Sequence, residues 1–218
     1  MDQVACPEDW DYEEDTKKRE SISRTVSEIV VELRTGRMDP AEGSADTRRV
    51  HWRMFADFAP PAFPYFAGSY RGEDHRCLRD YEVHIPSDPR VGSPAAQVPG
   101  EMRALAVRIR RGLGALDEIW RRTSHQGRAD QLVRVARFSC EVFEAFLRVH
   151  PYANGNGHTG RFILWAMLAR YGFYPNRWRI DPRPDVPEYS KLIERFRSGD
   201  RDGLVSSVLA AVIEAELP

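Results

Sequence analysis

The sequence predicts an all-α protein carrying one short β-hairpin. Three observations predict it. Apolar residues recur at helical spacing through most of the 218 residues. Prolines and glycines, 15 of each, gather between those stretches. Only one short window, residues 81–85, alternates apolar and polar as a strand does.

In order along the chain, residues 1–15 are acidic, with Glu8, Asp9, Asp11, Glu13, Glu14 and Asp15, and read as a frayed or loosely docked tail. Ile22, Val26, Ile29, Val30 and Leu33 predict a helix over 16–35, ended by Gly36 and Pro40. Val50, Met54, Phe55 and Phe58 predict a second over 45–58, and Pro60, Pro61 and Pro64 forbid its continuation. Tyr81, Val83 and Ile85 alternate, and Pro86, Asp88, Pro89, Gly92 and Pro94 supply turns, so residues 80–98 read as a hairpin or flap. Met102, Leu105, Ile109, Leu113, Leu116 and Trp120 mark a helix over 101–123. Leu132, Val135, Val142, Phe143, Phe146 and Val149 mark the most amphipathic one, over 130–149. A glycine-rich break at 150–157 leads into a nearly all-apolar helix that runs to Tyr171. Helices over 187–198 and 202–216 close the chain, the last with Asp202 as N-cap. Two units follow: an acidic tail and helix over 1–40, and a main unit over 41–218.

The length suffices to bury a core without metal or disulfide help. An apolar share of 42% and a charged share of 30% are ordinary for a globular chain. No window holds 18 uninterrupted apolar residues, so no membrane partner is expected. The acidic start does not read as a secretory signal. A net charge of −1 argues against bulk nucleic-acid binding, so no DNA is expected. Cys6, Cys77 and Cys140 are odd in number and form no CxxC pair. They read as free thiols in a reducing, cytoplasmic setting, without a zinc site. Lysine occurs only as Lys17, Lys18 and Lys191, and arginine makes up the rest of the 32 basic residues. That bias fits a GC-rich genome and warns against reading every arginine as an anion ligand.

Residues 150–161 carry the chemistry: His-Pro-Tyr-Ala-Asn-Gly-Asn-Gly-His-Thr-Gly-Arg. Gly155 and Gly157 let backbone N–H groups turn inward as a nest where the next helix begins, and such a helix N-terminus attracts anions. A plain turn between helices explains the glycines. It does not explain a histidine just before the turn and an arginine one helical turn after it. His51, His75, His84 and His125 show no metal spacing and read as structural or solvated. Phe143, Phe146 and Trp165 read as core.

At these residues the chain resembles the Fic family, whose motif is His-x-Phe-x-Asp/Glu-Gly-Asn-Gly-Arg-x-x-Arg. His150, Gly155, Asn156, Gly157 and Arg161 match, and Tyr152 replaces the phenylalanine. Asn154 stands where the family has an acid, and His158 where it has an arginine. Residues 66–71, 81–99 and 187–208 look like the family's pre-flap segment, flap and terminal helices, so the likeness covers about 45–215.

The resemblance implies a Fic-like helical bundle and a protein adenylyltransferase, cytoplasmic and bacterial. ATP would be the donor, its phosphates on Gly155, Asn156, Gly157, His158 and Arg161. His150 would be the general base that activates a Ser, Thr or Tyr hydroxyl of a target protein. Mg²⁺ is implied, held weakly because Asn154 offers no charge. The flap residues Tyr81, Val83 and Ile85 would dock an extended stretch of target by β-augmentation. Two alternatives stay open: a phosphotransferase or other phosphodiester-moiety transferase, and a non-catalytic nucleotide-binding or docking module. The family's inhibitory pattern, Ser/Thr-x-x-x-Glu-Gly/Asn, is met in part by Thr16, Glu20 and Ser21, which implies Glu20 as an inhibitory residue. An antitoxin-like inhibitor is a further implied partner.

Overall fold

The computed structural model describes residues 5–7, 10, 16–123, 127–186 and 188–213. The rest of the predicted acidic tail, and the end predicted for the last helix, lie outside the described residues. Eight α-helices are described: α1 (Thr16–Arg34), α2 (Pro40–Ala45), α3 (Arg48–Phe55), α4 (Val98–Arg122), α5 (Arg128–Val149), α6 (Asn156–Ala169), α7 (Tyr189–Arg197) and α8 (Asp202–Ile213).

The centre is α6. From Thr159 to Ala169 every residue is buried, as expected of a helix that is apolar all round. It packs against α5, α2 and α1. Helix α5 turns Val135, Val142, Phe143, Phe146 and Val149 inward, and α4 turns Met102, Leu105, Ile109 and Leu113. The two helices approach closely at Gly112, where a Cβ would stand 2.0 Å from the Phe138 ring. Ile22, Val26, Ile29 and Leu33 bury one stripe of α1 in the same apolar cluster. At the other end α8 packs on α5 and α7.

The helix predicted over 45–58 is α3, continued by a tighter turn over Ala56–Phe58, and the shorter α2 ahead of it was not predicted. Asp39 caps α2, its side chain accepting the Ala41 N–H at 2.8 Å. Asp46 is extended and ends α2. Thr47 is buried, and its Oγ1 meets the Tyr152 hydroxyl at 2.7 Å. That buried hydrogen bond fixes the break between α2 and α3.

The predicted hairpin is also corrected, since no strand occurs among the described residues. The alternation itself is present: Tyr81, Val83 and Ile85 are half-buried, while Glu82 and His84 are exposed. What is missing is the ladder. The Gly92 and Ser93 N–H groups donate to Arg148 O (2.9 Å) and Val149 O (3.1 Å), the orphan carbonyls at the end of α5. The returning chain therefore caps a helix instead of pairing with residues 81–85.

Two of the three thiols expected to be free are joined. Cys6 and Cys77 form a disulfide with Cα atoms 5.6 Å apart. Nearby, Trp10 is buried against His51, Phe55 and Phe66, and its indole N–H donates to Phe58 O at 2.7 Å. This anchored strap replaces the loosely docked tail, at least at the described residues. Cys140 is a buried free thiol, and burial pushes its pKa up.

Candidate functional site

Helix α5 ends at His150, whose backbone is left-handed at φ 54°. A helix usually places glycine in that conformation. A histidine there costs about 1–3 kcal/mol of local strain and must be held by its surroundings. Arg71 holds it. The Arg71 side chain is fully buried and donates to four carbonyls: His150 O (2.9 Å), Tyr81 O (2.9 Å), Ser93 O (3.0 Å) and Val149 O (3.1 Å). One guanidinium thus ties the flap segment to the end of α5. Burial pushes the His150 imidazole down to about 4, against a hydrogen bond to Leu147 O and aided by the Arg71 and Arg197 charges. The ring is therefore neutral at pH 7, the state in which it accepts a proton.

The loop after His150 is closed on itself. Asn156 Oδ1 accepts the Tyr152 N–H at 2.9 Å, and Asn156 Nδ2 donates to Tyr152 O at 2.8 Å. Asn156 is buried and both ends of its amide hold the loop. The Tyr152 ring stacks on His51 at 3.7 Å between centroids. His51 is a structural residue, as its lack of metal spacing suggests: its Nδ1 accepts the Gly68 N–H and its Nε2 meets Asn154 O, both at 2.9 Å.

Gly155 starts α6 at φ 78°. A Cβ there would also stand 2.5 Å from the Phe55 ring. Both backbone and space demand glycine. In front of this turn lies a cleft of about 460 Å³, lined by Asn154, Gly155, Gly157, His158 and Arg161, with Asp181, Pro182, Arg183 and Tyr189 from the segment after α6. Helix α1 adds Arg19 and Ile22, and α5 adds Leu147. The structure thus brings five of the predicted site residues to one cleft. His150 and Asn156 are not among its lining residues, and Tyr81, Val83 and Ile85 lie on the separate flap segment.

No family model matches the chain, nor does any curated protein. The assignment of each residue therefore rests on its own geometry.

Arg161 is buried and donates from Nε to Ile180 O at 2.7 Å. His158 Nε2 meets Asp181 Oδ1 at 2.9 Å, and Ser23 of α1 donates to the other oxygen of Asp181. Burial pushes the Asp181 carboxyl up, but the hydrogen bonds from His158 and Ser23 outweigh it and hold the pKa below the carboxylate range. Glu20 is exposed on α1, and among the described residues it forms no ion pair with Arg161; Arg19 is the charged α1 residue that reaches the cleft.

Asn154 does not fit a metal. Its Oδ1 accepts the Gly155 N–H, and its Nδ2 donates to Trp10 O, both at 2.6 Å. The remaining acid in the cleft wall, Asp181, is paired with His158. Among the described residues no cluster of three His, Cys, Asp or Glu side chains could hold a metal ion. Mg²⁺ prefers charged oxygens that are unengaged. An aspartate at this position would have no N–H for Trp10 O.

Sequence reasoning missed Trp10, Arg19, Arg71, Asp181 and Arg183. Arg71 sits in the 66–71 segment that resembles the family, a usable signal. Asp181 sits before Pro182 in a proline-rich stretch and carried none.

Proposed function

We propose that the chain is a Fic-like protein adenylyltransferase, moving AMP from ATP to a target hydroxyl. The observation that supports it most is the basic cleft on the N-terminus of α6, one short loop after a strained and neutral histidine. In this reading the donor's phosphates lie over Gly155 and Gly157 in the field of the helix dipole. Arg161 adds a buried guanidinium beneath them. His150 takes the hydroxyl proton as the oxygen attacks the α-phosphorus. The extended run at 81–85 receives the target, and Arg71 fixes its distance from His150. Asn156 acts by holding the loop. No step passes through Mg²⁺, because the donor set does not fit it.

The test is incubation of the full chain with a lysate and either α-³²P-ATP or γ-³²P-ATP. The α-label should appear on protein, and His150→Ala should abolish it. Label from the γ-position alone would indicate a phosphotransferase, and label from neither a binding module.

A further inference from the structure

We propose that the cleft binds a polyphosphate through arginines from outside the motif, Arg19 of α1 and Arg183 after α6, acting with Arg161 and without a divalent cation. The inference rests on the donor site proposed above and names what neutralises the donor there.

The cleft wall holds three arginines and a histidine against one carboxylate. That carboxylate, Asp181, is turned to His158. In their hydrogen bonds the arginines meet neutral partners, although the Arg161 charge also acts on Asp181. Arg161 meets the Ile180 carbonyl, Arg19 the Thr16 hydroxyl at 3.3 Å, and Arg183 the Ser190 hydroxyl. Arg183 also lies over the Tyr189 ring, 4.5 Å from its centroid. Three guanidiniums and a histidine against one carboxylate, itself bonded to His158 and Ser23, leave the described wall of the cleft with an excess of positive charge, a site for an anion of several charges. The motif itself supplies less: His158 is held by Asp181, and Asn154 is engaged with Gly155 and Trp10. A metal-bridged phosphate is usually anchored by one or two protein carboxylates, and this wall offers guanidiniums in that place. Guanidinium forks bind phosphate oxygens directly. On this view α1 serves the donor through Arg19, and the neighbouring Glu20, exposed outside the cleft, does not oppose it.

The experiment is titration calorimetry of the full chain with inorganic tripolyphosphate, in EDTA and in excess Mg²⁺. Affinity in EDTA should lie within about threefold of that with Mg²⁺. Arg19→Gln and Arg183→Gln should each weaken tripolyphosphate in EDTA by about tenfold, as loss of a charge-assisted contact implies. AMP affinity should change by less than about twofold. Arg121→Gln, an exposed cation at the end of α4, and Glu20→Gly should bind like the parent. The proposal is overturned if EDTA abolishes binding, or if both arginine variants keep the parent affinity. The functional reading fails separately. Tight metal-free binding with no label transfer sinks the transferase alone, whereas transfer that survives while EDTA abolishes binding sinks this inference alone.

Discussion

Replacing Asn154 by aspartate removes the N–H that reaches Trp10 O and sets a carboxylate against that carbonyl. Leaving a buried acceptor without its donor costs about 1–3 kcal/mol. Asn154→Asp should therefore lower the thermal midpoint, and Asn154→Gln should do the same through altered reach. A parent-like midpoint in Asn154→Asp would show that the Trp10 contact contributes nothing. Gly155 is less forgiving. Alanine there meets both the left-handed backbone and the Phe55 ring, and each effect costs about 1–3 kcal/mol. Gly155→Ala should lose at least about 2 kcal/mol in denaturant unfolding, while Gly114→Ala, in the open on α4, should be neutral or stabilising. At His150, alanine should slow transfer by about 10²–10⁴-fold with nucleotide affinity retained.

Among the elements, the helices were the legible part, because each buries a stripe that repeats with the helical period. Helix α1 was expected over 16–35 and spans Thr16–Arg34; α5 was expected over 130–149 and spans Arg128–Val149. The motif loop was legible too, since a helix interrupted by two glycines must turn there. What escaped were contacts whose partners lie far apart in sequence. Residues 81–85 alternate as a strand would, yet the returning segment gives its N–H groups to α5, a choice invisible in residues 81–98. The break at Asp46 and Thr47 depends on the hydroxyl of Tyr152. The disulfide joins residues 71 apart, and Trp10, four residues after Cys6, is buried against His51, Phe55 and Phe66. That strap makes a test at this scale. Closing so long a loop in the unfolded chain stabilises the fold by roughly 4 kcal/mol on the chain-entropy model. Cys77→Ser, or reduction of the parent, should lower stability toward that amount in denaturant titrations, and the two treatments should agree. Unchanged unfolding after reduction would mean that the strap holds by Trp10 alone.

For the whole molecule, two neutral histidines tie stability to pH. His51 is wholly buried, and burial pushes it down to about 3, against its hydrogen bond to Asn154 O. Its Nδ1 already accepts the Gly68 N–H, so a second ring proton would face a donor. His150 lies at about 4. In the unfolded chain both return to ~6.5. Between those values the unfolded chain binds protons that the folded chain refuses, so stability is complete above about pH 6.5 and falls as the pH drops toward 4. For His51 the slope approaches about 1.4 kcal/mol per pH unit in that window. The carboxylates act later. Asp88 and Asp181 are held below their ordinary values, Asp88 chiefly by Arg90 and Asp181 by His158 and Ser23. Their contribution is complete well above the unfolded value near ~3.9 and is lost progressively as the pH falls through it toward the lower folded values. Loss of stability between pH 6.5 and 4.5 therefore comes chiefly from the histidines, with the paired carboxylates Glu32, Asp46 and Asp117 joining toward its lower end. Denaturant midpoints measured across that range should fall steadily for the parent. His51→Phe keeps the ring stacked near Tyr152 but cannot titrate, so it should start less stable at pH 7 and lose less on acidification. Combining it with His150→Ala should leave the profile nearly flat down to pH 4.5. A parent whose midpoint does not change between pH 7 and 4.5 would show that both rings take their protons inside the folded chain, and the neutral state assigned to His150 would fall with it.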